Sequence, residues 1–281
     1  MTTTLTPPPA GSPAPVPPSD PRSSSRVIAI LAICFGTVLI IGAVFTGVFT
    51  AVRAAAQQTS TLTADAAGIT GLNVDVGAAD FTVVYAGAEV TLDVTGNAGD
   101  WHLTRDGGTL DVTTDRGWWG GWRFFGDGDT AVLTLPERLK DTRMDADFSL
   151  GAGVLRAEGT YGELELDLGA GSIDVSGSAE SLDADISAGR AVFDLADVDQ
   201  VRLQVSAGGV TGTLTGTAPS DVAIDVSAGR LELTLPDTTY ALATDVSAGD
   251  LEHTLSTDPA SDNRITASVS AGFVKLTPSG R

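Results

Sequence analysis

The chain has 281 residues, enough to bury a sizeable apolar core unaided, and its single cysteine, Cys34, excludes a disulfide framework. Its 36 acids against 16 bases give a formal charge of −20. That balance excludes nucleic acid and anionic lipid headgroups as partners of the bulk of the protein and favours cations.

Residues 1–26 contain PPPAGSPAPVPPSDPR. So few apolar groups cannot offset the entropy of ordering, and a disordered, Pro/Ser-rich tail is expected. Residues 27–52, VIAILAICFGTVLIIGAVFTGVFTAV, then run 26 positions without a charge between Arg26 and Arg53. About 20 apolar residues already cross a bilayer core, so this run predicts one transmembrane helix with the lipid bilayer as its partner. Its length and late start argue against a cleaved signal peptide. Leu31-Ala32-Ile33-Cys34 looks like a lipobox, but Ile33 stands where a small residue is needed and apolar sequence continues beyond Cys34. Arg22 and Arg26 precede the run and only Arg53 follows closely, which predicts a single-pass protein of the plasma membrane with a cytoplasmic N-terminus and an extracytoplasmic bulk.

After a linker over 53–66, residues 67–145 read as a β region of atypical sequence. It holds one turn, Val74 to Phe81, and strand-like VTLDVTG, WHLT, TLDVTT and AVLTLP. It also holds RGWWGGWRFF, with three of the four tryptophans. We expect this region to be an N-terminal β cap.

Residues 146–277 repeat a short phrase. LGAG ends at Gly153 and Gly171, ISAG at Gly189, and VSAG at Gly208, Gly229, Gly249 and Gly272. Aliphatic residues stand just before each phrase (Leu150, Leu168, Ile186, Val205, Val226, Val246, Val269), and apolar ones two after each glycine. Polar residues alternate with them, which is the period of strands with one buried face. Shared corners about 20 residues apart predict stacking in register, with the alanines inside and the glycines at positive φ. The fold expected is all-β, a single-stack β-solenoid of about 18–23 residues per turn, behind the cap and the membrane helix. An antiparallel sandwich is the competing reading.

The anchor, the aromatic loop, LTLPERL and DFSLGAGVLRAEGTYGELELDLGAGSIDVSG with its further SAG turns resemble the bacterial putative-adhesin family of β-strand-repeat domains over about residues 67–277. The resemblance implies a β-repeat fold and a cell-envelope location, and it carries no catalytic residues.

Two constellations stand out. Asp167, Asp185, Asp225 and Asp245 lie two residues before their corners, where stacking makes either a solvated acid ladder or a row of oxygen ligands for calcium. Trp118, Trp119, Trp122, Phe124 and Phe125 make either a lid over the first repeat or a binding surface. His102 and His253 are the only histidines, and no nucleophile elbow, phosphate loop or zinc spacing is present, so no enzyme is expected. The reading is a membrane-anchored binding or scaffold module, its partner a cell-wall polymer or envelope protein. Self-association through the C-terminal repeat near Phe273 is an open possibility. An envelope-stress sensor signalling through the tail is the alternative, and a polysaccharide-acting enzyme the third reading.

Overall fold

The structure, a computed structural model, describes residues 59–115 and 129–280. These belong to one compact unit, Gln57–Arg281, while the unit Met1–Ala56 lies outside the described residues. So do the expected tail and helix over 1–52. Among the described residues no helix is long and apolar enough to cross a membrane.

The unit opens with β1 (Thr59–Ala64), β2 (Gly71–Tyr85), β3 (Val90–Thr95), β4 (Trp101–Asp106), β5 (Thr109–Thr114) and β6 (Asp129–Leu135). The long β7 (Met144–Leu168) and β8 (Ser172–Ile186) follow, then β9 (Arg190–Ala196), β10 (Gln200–Val205), β11 (Gly209–Thr215), β12 (Asp221–Val226) and β13 (Arg230–Leu235). The last are β14 (Thr239–Val246), β15 (Asp250–His253), β16 (Ser256–Thr257), β17 (Arg264–Val269) and β18 (Phe273–Pro278). Alternation builds them locally: in β12, Val222, Ile224 and Val226 are buried while Asp221 and Asp225 face water.

These eighteen strands form a mixed sheet, not the expected single-stack β-solenoid. At the N-terminal side the pairing is antiparallel, with β1 on β3, β3 on β6 and β4 on β5. The remaining pairs are parallel and run as two ladders. In the first, β2 lies on β7, and β8, β10 and β12 follow in turn. In the second, β6 lies on β2, and β7, β8, β9, β11 and β13 follow.

Chain order then breaks. β12 pairs with β17 and β13 with β18, and only beyond these do β14 and β15 follow. The last repeat is thus inserted before its predecessor. Its inward side chains Ile265, Ala267, Val269, Val274 and Leu276 are all buried, whereas the displaced repeat carries Thr244 and His253 at the matching inward positions. The apolar layer of β12 and β13 covers the first set on one side and the displaced repeat covers it on the other, so the polar pair is left at the end where water reaches it.

The corners correct the sequence reading in two ways. Ala188 N–H donates to the Gly169 carbonyl and Ala207 to that of Ser187; Ala228, Ala271 and Ala248 continue the file in that order. Yet Ala170, Ala188, Ala207, Ala228, Ala248 and Ala271 are exposed, not inside. Only Gly153 and Gly171 among the corner glycines have positive φ, at 110° and 121°. The others are needed for close stacking: a Cβ on Gly208 would stand 2.4 Å from the Gly189 carbonyl oxygen.

Candidate functional site

Among the described residues no polar or charged residue is buried, so the chemistry of this unit lies on its outer wall and at its open end. The wall is the outer face of the first ladder. There Asn73 is in register with Asp111 and Asp147, Glu165 with Asp183, and Asp167 with Asp185. β7 follows its own first third, since Gly169 N–H donates to the Leu150 carbonyl at 2.9 Å. This brings Asp145 beside Glu163, whose N–H donates to Asp145 Oδ1 at 3.0 Å, and Asp147 beside Glu165.

Strands about 4.8 Å apart hold these carboxylates closer than free solution would. Partial burial, then Asp167 and Asp75, push the Asp147 carboxyl above its ordinary range. Glu165 is raised chiefly by Asp147, then by burial, Asp183, Glu163 and Asp167. Relief comes from Arg202, whose Nη1 lies 3.2 Å from Asp183 Oδ2, and from Arg143, paired with Glu180.

The structure separates the predicted aspartate ladder. Asp167 and Asp185 are neighbours, Gln204 lies between Asp185 and Asp225, and Ser268 between Asp225 and Asp245. Among the described residues no group of three or more metal-ligating side chains is gathered. Arg230 Nη1 lies 3.4 Å from Glu232 Oε1, and its guanidinium sits 4.5 Å over the Phe273 ring. Sequence reasoning missed Asp145, Asp147, Glu163, Glu165 and Asp183. They occupy the outward positions two and four residues before the aspartate column, so extending the column alignment by two pleats reaches them.

Trp118, Trp119, Trp122, Phe124 and Phe125 lie outside the described residues, but the residues that flank this segment are described. Trp101, the fourth tryptophan, is buried, stacks on Phe81 with ring centroids 6.1 Å apart, and donates Nε1–H to Asp129 Oδ2 at 3.1 Å. Asp129 also accepts from Asn97 N–H at 3.0 Å, fixing the start of β6. His102 Nδ1 lies 3.8 Å from Asp115 at the other flank.

The open end is formed by β14 and β15. A groove of about 400 Å³ there is lined by Leu242, Thr244, Val246, Leu251, His253, Thr257 and Pro259. His253 is exposed in it. The loop after β15 closes one side only, through buried Leu255 and the pairing of β16 with Thr239 and Tyr240.

The chain is similar to solved structures named putative adhesins. One, a putative cell adhesion protein from Clostridium sporogenes, is 10% identical with a TM-score of 0.38, the match covering 80% of this chain and 100% of that one. A putative adhesin from Bacteroides fragilis is 11% identical with a TM-score of 0.41, over 80% of this chain and 98% of the other. A putative lipid binding protein from Parabacteroides distasonis is 14% identical with a TM-score of 0.35, over 81% and 98%. No family model matches the chain, and no curated protein does.

Proposed function

We propose that residues 59–280 are the adhesin-like binding or scaffold module of a cell envelope, held at the outer face of a membrane by the uncharged run 27–52 with the N-terminal tail in the cytoplasm. The single observation carrying this reading is the segregation of groups: among the described residues, an interior of aliphatic and aromatic side chains without a buried polar residue, against an outer wall crowded with carboxylates. A unit built so acts by what its surface meets. Its acids form columns without a singled-out pair, and we assign it no catalytic step. The aromatic segment rooted at Asp115 and Asp129 is part of the proposed surface, with a cell-wall polymer or envelope protein as partner.

Protease added to intact cells making the full chain tests the placement. Cleavage within 59–280 without permeabilisation is expected, and protection until the membrane is opened would overturn it. Retention of the chain on purified peptidoglycan, teichoic polymers and vesicles, compared with the Trp118→Ala/Trp119→Ala/Trp122→Ala variant, then tests the surface. Unchanged folding with lost retention is the expected result.

A further inference from the structure

The open end is an unfinished sheet edge with an excess of acids around it. In β14, Ala241 N–H donates to the Asn263 carbonyl at 2.7 Å, and beyond the strand Ser247 N–H donates to that of Val269 at 2.9 Å. Odd-numbered residues therefore turn their backbone groups toward β17. Leu242, Thr244 and Val246 turn theirs the other way, where among the described residues the only pairing strand, β16, covers Thr239 and Tyr240 alone. In β15, Asp250 donates to Gly272 and Thr254 N–H, just past it, to Leu276, which leaves the backbone of Leu251 and His253 facing outward. The same five residues line the groove with their side chains, because in a strand both alternations have a period of two. Val246 is 40% exposed although its counterparts in other repeats are buried.

Acids outnumber bases at the rim, where Arg264 is the register partner of Ala241 and Lys275 that of Glu252. Residues 237–263 include Asp237, Asp245, Asp250, Glu252, Asp258 and Asp262 and not one lysine or arginine. A second copy docking by the same end would set these acids against each other across a two-fold axis. A strand bearing basic residues would meet opposite charges.

We propose that the edge of β14 at the open end is a docking site for an extended cationic polypeptide segment, one that alternates Lys or Arg with apolar residues and adds to the sheet as its next strand. Backbone groups of Leu242, Thr244 and Val246 pair with its backbone, its apolar side chains cover Leu242, Val246 and Leu251, and its cations lie on the outward face beside Asp245, within the field of Asp250 and Glu252 round the corner. This is β-augmentation, in which main-chain bonds supply affinity and alternate side chains supply selectivity. The proposal deepens the binding-module reading and rests on it. The two fail separately, since protease shaving and polymer retention involve no peptide.

The test is fluorescence anisotropy of a labelled octapeptide of alternating Lys and Val against the full chain in neutral detergent. The Glu–Val octapeptide and a Lys–Val octapeptide with two central prolines serve as comparisons. We expect the Lys–Val peptide alone to bind, and its affinity to fall at least tenfold in Thr244→Pro. That proline removes a free-edge N–H and spares the ladder bonds of Ala243 and Asp245. The same loss is expected in Asp245→Lys/Asp250→Lys/Glu252→Lys, whose substitutions are on exposed positions, with native circular dichroism. Equal binding of the proline-interrupted peptide, or unchanged binding in the triple variant, would place the contact on the acidic wall and overturn the proposal. So would a dimer in sedimentation that the triple variant strengthens, which would make a second copy the occupant.

Discussion

Phe193 occupies the space that a side chain at residue 212 would need. The two are register partners in β9 and β11, and a Cβ on Gly212 would stand 2.2 Å from two atoms of the Phe193 ring. Phe193 is 1% exposed and cannot swing out, so Gly212→Val overpacks the core. We expect a loss of about 1–3 kcal/mol, seen as a lower urea midpoint with an unchanged slope. Phe193→Ala in the same chain should restore much of it, because the valine then fills the space left by the ring.

At the corners, Gly171 combines φ of 121° with a Cβ position 2.3 Å from the Gly153 carbonyl oxygen. Gly171→Ala meets both a disfavoured backbone and a backbone clash, and a loss of roughly 3 kcal/mol is expected. Gly209, with open space around its Cβ position, is the comparison: Gly209→Ala should change stability by less than about 0.5 kcal/mol. Thermal melts of the two variants check the difference.

The raised Asp147 and Glu165 carboxyls fix a pH dependence. A carboxyl whose folded pKa lies above its unfolded one holds its proton more tightly in the folded chain. Its contribution favours the fold at low pH and is lost as pH rises from the usual carboxylate range through the raised value. At neutral pH each such group is a small liability, about 0.8 kcal/mol for like charges some 5 Å apart in water and less once salt screens them. Glu165→Gln should therefore raise Tm at pH 7 by one or two degrees, and the gain over the native chain should vanish below about pH 4. An Asp197→Ala variant should behave oppositely. That carboxyl is held low by the Thr217 N–H and hydroxyl, and its support is present at neutral pH and lost on acidification.

His253 and Leu276 are register partners in β15 and β18, one exposed and one fully buried. Leu276→His places an unpartnered polar ring inside the core and should cost about 3 kcal/mol. His253→Leu should leave stability within about 0.5 kcal/mol, since water already reaches the position. If the two substitutions cost the same, polarity does not decide which repeat lies at the end.

Much of the wall was legible in the chain. Alternation in LELDL identifies which residues face water, and aligning the LGAG corner at Gly171 on the ISAG corner at Gly189 places Asp167 beside Asp185. Register beyond one column was not read off, so Glu165 beside Asp147 emerged only from the paired strands. The groove left a fainter trace in Thr244 and His253, two polar residues in otherwise apolar columns.

By itself the sequence determined the faces: period-two patterning commits each strand to one buried side, whatever strand lies next to it. The tertiary structure alone decided adjacency. Every repeat offers the same backbone edge and the same corner, so local chemistry does not distinguish the Gly249 repeat from the Gly272 repeat as neighbour to β12 and β13. Solvation does: the repeat whose inward side chains are all apolar gains most from being covered on both sides, and the one carrying Thr244 and His253 loses least by remaining at the open end.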